Sequence, residues 1–149
     1  MPKDKDKKHK KNKKCRWKSV AKLCNKYKKR WDDNLANSHN KKDLKKIKKF
    51  KKKYGFDYTE SWDLDSYALV YILPRLAYLR DHHSVPAVFT TSNTLEVADR
   101  QWTKILDDII DGFIVYLKAL DDVDMSEKDK RAWDKATTYF TKYFNYLWY

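Results

Sequence analysis

The residues best able to do chemistry in this chain are lysines, and they are concentrated in its first third. Residues 1–53 contain 24 Lys and Arg and 5 Asp and Glu, a net charge of +19, whereas residues 54–149 contain 10 and 16, a net charge of −6. Clustered lysines neutralise phosphates and release condensed counterions, which gives salt-dependent binding to DNA or RNA. The charge distribution therefore indicates a polyanionic partner.

We predict nucleic-acid contacts from a set of basic side chains and one tryptophan. Lysine lacks the planar fork with which arginine reads guanine, so binding should follow charge and shape and not base sequence. Trp17, Tyr27 and Trp31 lie among the lysines and can either stack on single-stranded bases or pack on the rest of the protein. The predicted contact residues are Lys7, Lys8, Lys10, Lys11, Lys13, Lys14, Arg16, Trp17, Lys18, Lys22, Lys26, Lys28, Lys29, Arg30, Lys45, Lys46, Lys48, Lys49 and Lys52.

Two other interpretations of the basic segment stay open. A basic amphipathic helix bearing Trp is also typical of anionic membrane surfaces, although the apolar stripe here is narrow. The lysines can also serve only to keep the chain in solution.

Six aspartates form the acidic counterpart of the lysines. Asp107 and Asp111 lie one helical turn apart, an arrangement that can hold a divalent cation, but without the spacing of a calcium-binding loop. The opposite charge of the two parts of the chain favours a different role, the docking of the protein's own basic helices. The set is Asp107, Asp108, Asp111, Asp121, Asp122 and Asp124.

The remaining reactive side chains form no catalytic or metal-binding motif. His39, His82 and His83, together with Cys15 and Cys24, lack zinc-binding spacing, and the sequence contains no GxSxG, P-loop or HExxH motif. On a helix the two cysteines would be about 13 Å apart, beyond the reach of a disulfide, so we expect reduced thiols. We therefore predict no enzymatic activity, no metal site and no cofactor.

The elements that position these residues are predicted to be helices. Only 2 Gly and 3 Pro occur, which disfavours a β-sandwich or barrel. Apolar residues recur at steps of three and four through Gln101–Leu120, which predicts one buried helix face. We predict an all-α fold with a three-helix core bundle over about 63–80, 95–120 and 127–147.

Local signals refine the three core helices. Pro74 predicts a kink or a break in the first of them, because proline removes a helical hydrogen bond. Gly112 predicts a close helix contact. Ser126 is the expected N-cap of the last helix. In the loop before the second helix, Ala87–Thr90 is expected to be extended.

The chain divides into three parts by composition. Residues 1–14 are too polar to bury apolar surface, so we expect a disordered Lys-rich tail. Residues 15–54 are predicted to form a basic extension with one or two amphipathic helices in total. A polar break is expected at 32–40. Gly55 is the expected left-handed end of the second helix, and the helical domain occupies 55–149.

The helical domain resembles a known group of proteins. Its segments GFDYTESWDLDSYALVYILPRLAYL, QWTKILDDIIDGFIVYL and TKYFNYLW are similar to those of small bacteriophage-encoded helical proteins. That family shares a Trp-x-Leu-Asp opening, a Trp-x-x-Ile-Leu helix and a terminal Tyr-Phe-x-x-Leu-Trp. The resemblance covers about residues 55–149, and it implies a phage source without implying a mechanism.

Together these features predict a non-enzymatic phage protein that binds DNA or RNA non-specifically through its basic segment, with the helical domain as platform. The alternative is a module that engages a host or virion protein through the aromatic C-terminal face or the acidic helix. No apolar run is long enough to span a bilayer, and the N-terminus lacks the apolar region of a secretory signal. We therefore expect it in the cytoplasm of an infected bacterium or in the virion.

Overall fold

The computed structural model describes residues 15–121 and 124–148. Within these ranges the chain forms six α-helices and no strand, which confirms the all-α prediction. None of the described helices is long and apolar enough to cross a membrane. The helices are α1 (Trp17–Ser38), α2 (Lys41–Tyr54), α3 (Leu64–His82), α4 (Ala87–Thr90), α5 (Leu95–Ala119) and α6 (Glu127–Lys142), with 3₁₀ turns at Tyr58–Ser61 and Phe144–Tyr146.

The three predicted core helices correspond to α3, α5 and α6. Helix α5 packs against both of the others, as its apolar periodicity predicted. The side chains of Trp102, Leu106, Ile109, Ile110 and Leu117 on this face are completely buried. Burying such side chains is the main source of folding free energy, so α5 is the centre of the bundle.

The contact between α5 and α6 is close because α5 carries a glycine there. A Cβ atom at Gly112 would lie 2.3 Å from both the Ala132 carbonyl oxygen and the Ala136 Cβ. Glycine is disfavoured in a helix interior, and here it is required by the approach of the α6 backbone. This finding confirms the predicted close contact.

Helix α1 adds a fourth member to the bundle. It packs along α3, and its Val20, Cys24 and Tyr27 are buried in the same core cluster as Leu73 and Ile110. Apolar residues at steps of three and four along α1 form a stripe wide enough to be covered by α3. Part of the basic extension therefore belongs to the hydrophobic core.

Helix α1 also continues further than the sequence predicted. The expected polar break at 32–40 is wrong over most of its length, because α1 runs to Ser38 and only two residues separate it from α2. Trp31 packs on Tyr67 of α3 with ring centroids 5.0 Å apart. That tertiary contact outweighs the weak helix propensity of the polar residues that follow.

Two further local predictions are corrected. Ala87–Thr90 forms the short helix α4 and not an extended segment, and the Thr90 hydroxyl donates to the Ala87 carbonyl at 3.0 Å. Of the kink or break predicted at Pro74, the break does not occur, since α3 continues to His82. Arg75 Nη1 donates to the Tyr71 carbonyl at 2.6 Å, which adds a hydrogen bond in the turn that proline weakens.

Two predicted helix caps are confirmed, but the last core helix, predicted to run to 147, ends at Lys142, before the 3₁₀ turn Phe144–Tyr146. The Ser126 hydroxyl oxygen accepts a hydrogen bond from the Asp129 backbone N–H at 3.1 Å. Gly55 has φ 81°, in the left-handed region, and its N–H donates to the Lys51 carbonyl at 2.8 Å. These caps fix where α6 begins and where α2 ends.

Candidate nucleic-acid interface

Helix α2 presents lysines to solvent over most of its circumference. Nine of its 14 residues are lysine, while Ile47 on the opposite side is buried. At 3.6 residues per turn, five of these lysines fall within an arc of about 100° and along about 16 Å of helix axis. We call these five the lysine face: Lys41, Lys45, Lys48, Lys49 and Lys52.

The predicted contact lysines of α1 and α2 are all exposed. They are Lys18, Lys22, Lys26, Lys28, Lys29, Lys45, Lys46, Lys48, Lys49 and Lys52. Lys46 lies 3.7 Å from Asp43 on its own helix. Across residues 15–121 and 124–148, no other member of the ten is within ion-pair distance of a carboxylate. Their charge is therefore available to an external anion.

Lys7, Lys8, Lys10, Lys11, Lys13 and Lys14 lie outside the described residues, as does Asp122 of the acidic set.

The two predicted arginines bind aspartates of the protein itself. Arg16 Nη1 is 2.6 Å from Asp107 Oδ1, and its Nη2 pairs with Asp111. Arg30 Nη2 is 2.6 Å from Asp121 Oδ1. These pairs confirm the predicted docking for the basic helix α1, on carboxylates of α5 and of the turn after it. In the described part of the chain no ion pair joins α2 to these carboxylates. Arg16 and Arg30 thus hold α1 on the bundle, and the lysines remain on its outer side.

Hydrogen bonds lower the pKa of two carboxylates of the acidic set, Asp108 and Asp121. The hydrogen bond from Arg30 lowers the pKa of Asp121, whose other oxygen accepts the Tyr27 hydroxyl at 3.1 Å. Burial raises the pKa of Asp108, but hydrogen bonds from Lys104 and Lys135 outweigh it, so the net pKa is lowered. In the described part of the chain, no three His, Cys, Asp or Glu side chains converge as a metal site.

Asp81 is a structural residue that the sequence did not reveal. Its Oδ2 accepts the backbone N–H groups of Arg16 at 2.6 Å and Trp17 at 2.9 Å, so a residue of α3 caps the start of α1. Its Oδ1 accepts from Arg80 Nη1 at 2.9 Å, and Arg80 also bonds to Asp107 of α5 at 3.0 Å. Asp81 and Arg80 of α3 together therefore connect α3 to α1 and to α5.

The pKa of Asp81 reflects this position. Burial raises it, but the hydrogen bonds from the Trp17 N–H, the Arg80 guanidinium and the Arg16 N–H outweigh burial and bring the net pKa below its ordinary 3.8. The sequence carried one indication of this contact. Arg16, the N-cap residue of α1, is not a residue type that caps a helix with its own side chain. A helix start that lacks a local cap needs an acceptor from elsewhere in the fold.

The three aromatic residues of α1 pack inside the protein. Tyr27 is buried, and Trp17 and Trp31 are half-buried against the same core cluster. The Trp17 ring lies 5.6 Å from that of Tyr78 in an edge-to-face contact. This confirms that these rings pack on the helical domain. The buried ring of Tyr27 is therefore not accessible to a base.

Comparisons with protein-family models, with curated proteins and with solved structures find no match to this chain. The similarity to small bacteriophage proteins therefore stays a prediction.

Proposed function

We propose that this protein binds DNA or RNA non-specifically through exposed lysines of α2 and α1, with the helical bundle as a rigid platform. We include the Lys-rich residues 1–14 in the same role. The proposed role requires no enzymatic step and no cofactor. A phage source, and a location in the host cytoplasm or the virion, belong to the same proposal.

The observation that carries the proposal is the lysine face of α2. It extends over about 16 Å, a length along which one DNA strand presents about five phosphates at 3.4 Å each. Five ammonium groups thus face about the same number of phosphates. The only acidic residue of α2, Asp43, lies toward the side of Ile47 and does not interrupt this row.

The basic helices cannot be removed as a unit to test this proposal. Deleting residues 1–53 would remove Val20, Cys24 and Tyr27 from the core. The Asp107 and Asp111 carboxylates would also lose Arg16. The resulting loss of binding would be indistinguishable from unfolding. Substitution of exposed lysines avoids this problem.

The test compares two variants with the same change in net charge. The first replaces four lysines of the lysine face by glutamine, namely Lys45, Lys48, Lys49 and Lys52. The matched control replaces four exposed lysines elsewhere, namely Lys118, Lys128, Lys130 and Lys142. Binding to a mixed-sequence DNA duplex is measured by mobility shift between 50 and 200 mM salt, about the range in which phosphate contacts are lost.

We expect the first variant to bind more weakly and with a shallower salt dependence. Each phosphate contact contributes about 0.9 to the slope of log K against log salt, so losing four lowers it by about 3.6. The control should keep the wild-type slope. Equal losses in both variants would show a bulk charge effect and refute the assigned face. Wild-type binding by the first variant would refute it as well.

A second function, engagement of a host or virion protein, is supported by a separate surface. An open groove of about 1010 Å³ lies between α1, α3 and the C-terminal segment, lined mainly by apolar side chains such as Leu76, Phe140 and Leu147. Phe144 and Trp148 at its edge are largely exposed. Large exposed apolar patches often mark protein contacts.

This alternative makes a different experimental prediction. A protein partner should remain bound after nuclease treatment and be lost when Phe144 and Trp148 are both changed to alanine. Charge reversal at the acidic residues would not test this alternative. Asp107 and Asp111 bind Arg16, so reversing their charge would release α1 from the bundle.

A further inference from the structure

A small pocket with three aromatic rings lies where α1 ends and α3 begins. Its volume is about 230 Å³, below the roughly 300 Å³ at which pockets for drug-sized ligands begin. The rings that line it belong to Trp31 of α1, Trp62 in the turn before α3 and Tyr67 of α3. Asp63, the N-cap residue of α3, lies at the same pocket. The size of the pocket fits a single small chemical group.

The faces of the rings are arranged around the pocket and not stacked flat on one another. The Trp31 and Tyr67 ring centroids are 5.0 Å apart, and the ring planes are inclined by 53°. The face of an aromatic ring carries partial negative charge, and it attracts a cation within about 6 Å of its centre. Several such faces around one small space are the arrangement that recognises quaternary ammonium groups.

Trp62 is positioned by an aromatic cluster around Phe50. The Phe50 ring centroid lies 4.6 Å from that of Tyr54, 5.5 Å from that of Phe56 and 5.3 Å from that of Tyr58. The Tyr58 ring in turn contacts the Trp62 ring at 6.1 Å. The end of α2 and the 3₁₀ turn thus hold the Trp62 ring in place, although 68% of this residue is exposed. A ring that is already held loses little freedom when a ligand binds.

The charge around this pocket is negative, in contrast to the net charge of +13 of the whole chain. Burial raises the pKa of the Tyr67 phenol, and the charges of nearby carboxylates raise it further. Lys51 pairs with one of them, Glu60, at 3.0 Å. Among the described residues, no ion pair involves the Asp32 or Asp63 side chain. The carboxylates that act on Tyr67 are Glu60, Asp32, Asp57 and Asp63.

A ligand for this pocket must combine positive charge with an apolar surface. A primary ammonium is strongly hydrated, and against ring faces its N–H groups would lack acceptors. A quaternary ammonium has no N–H group, so its methyl groups can pack on the rings while its charge is attracted to them. A metal ion is not suited, since no three His, Cys, Asp or Glu side chains converge in the described part of the chain.

We propose that the pocket between Trp31, Trp62 and Tyr67 binds a quaternary ammonium group, with Asp63 as the carboxylate at its edge. Choline and trimethylated lysine are two sources of such a group. This inference is independent of the proposed binding of nucleic acid, because it uses no residue of the lysine face.

The test measures the binding of choline to the full-length protein. The indole N–H signals of Trp31 and Trp62 in proton–nitrogen correlation spectra report binding at the pocket, while sodium chloride keeps the ionic strength constant. The control ligand is the neutral analogue of choline in which a tert-butyl group replaces trimethylammonium. The amide of trimethyllysine is a second probe, and its affinity relative to choline identifies the source of the group.

Each substitution at the pocket has a control variant elsewhere. Trp62→Ala is compared with Trp148→Ala, because both residues are 68% exposed and Trp148 lines the apolar groove. Asp63→Asn is compared with Asp134→Asn at an exposed position of α6. Asparagine is a good N-cap residue and the Asp63 side chain makes no capping hydrogen bond, so the start of α3 should be unchanged. The Trp31 signal reports binding in the Trp62→Ala variant.

We expect Trp62→Ala to weaken choline binding by about 2- to 30-fold, the range of one cation–π contact. The neutral analogue should bind the wild type more weakly than choline by a similar factor, because it lacks the charge that the rings attract. Asp63→Asn should weaken choline binding by about 2- to 5-fold, as for an exposed charge pair. Trp148→Ala and Asp134→Asn should leave the affinity unchanged. Circular dichroism checks that each variant is folded.

Three results would overturn the inference. The first is the absence of choline binding to the wild type. The second is equal binding of choline and its neutral analogue, which would show an apolar pocket that does not recognise charge. The third is an equal effect of Trp62→Ala and Trp148→Ala, which would place the ligand elsewhere. None of these results bears on the lysine-face variant, so the two proposals succeed or fail separately.

Discussion

Replacing Asp81 by alanine should destabilise the protein although the residue lies outside the proposed interface. The substitution removes the acceptor of the two N–H groups at the start of α1 and the ion pair with Arg80. Loss of a helix cap costs about 1 kcal/mol, and loss of a partly buried charged hydrogen bond about 1.5 kcal/mol. Arg80 keeps Asp107, which limits the penalty. We expect a decrease of about 2 to 3 kcal/mol in the free energy of unfolding.

The asparagine variant separates the two contributions. Asp81→Asn keeps one carbonyl oxygen for the N–H groups of Arg16 and Trp17 but loses the charge that pairs with Arg80. It should therefore lose roughly half as much stability as Asp81→Ala. Urea unfolding at pH 7, followed by tryptophan fluorescence, measures both variants, and the m-value should stay constant. Asp134→Ala, at an exposed position on α6, is the control.

The asparagine variant should also change the response to acid. The hydrogen bonds lower the pKa of Asp81 in the folded state below 3.8. The stability that the ionised Asp81 carboxylate gives to the folded protein is therefore fully present above the ordinary pKa of 3.8. It is lost as the pH falls through the lower pKa of the folded state. The stability difference between wild type and Asp81→Asn should shrink below about pH 4.

Two results would contradict this account of Asp81. One is an Asp81→Ala variant whose stability is within about 0.5 kcal/mol of wild type, as expected for a surface position. The other is a gap between wild type and Asp81→Asn that stays constant or widens from pH 7 to pH 2.

Two further predictions concern the core. Gly112→Ala should lower stability by about 1 to 3 kcal/mol, because the overlap with Ala132 and Ala136 outweighs the gain in helix propensity. Adding Ala136→Gly should restore only part of this loss, because the clash with the Ala132 carbonyl oxygen remains. Full restoration of the free energy of unfolding in urea would contradict that backbone clash. In thiol titration with Ellman's reagent at pH 8, the exposed Cys15 should react at once, whereas Cys24, buried with its pKa raised to about 11, should react only in denaturant; two fast thiols in the native protein would contradict that burial.

The sequence predicted the helices well where the signal was local. The apolar spacing of α5 and the capping residues Ser126 and Gly55 act within one or two turns, so they can be recognised without the fold. The same spacing was present in α1, at Val20, Cys24 and Tyr27. Its many lysines obscured that signal, because a basic helix is equally well explained by an external partner.

The contacts that hold the start of α1 and the aromatic cluster around Phe50 are not local, and this is why the sequence did not predict them. Asp81 is 65 residues from the Arg16 N–H that it caps. The exposed rings of Tyr54, Phe56 and Trp62 follow no helical period, since they belong to a helix end and two turns. Only the packing around Phe50 brings them together.

The pairing of α1 with α5 has a consequence for synthesis of the chain. Arg16 leaves the ribosome 91 residues before its partner Asp107, an interval of about 5 to 20 s at ordinary translation rates. Until α3 and α5 follow, the apolar stripe of α1 lacks its native cover. Lysines beside such a stripe act as gatekeepers against aggregation, because like charges keep nascent chains apart. The lysines of α1 thus have a use in the nascent chain before any ligand is bound.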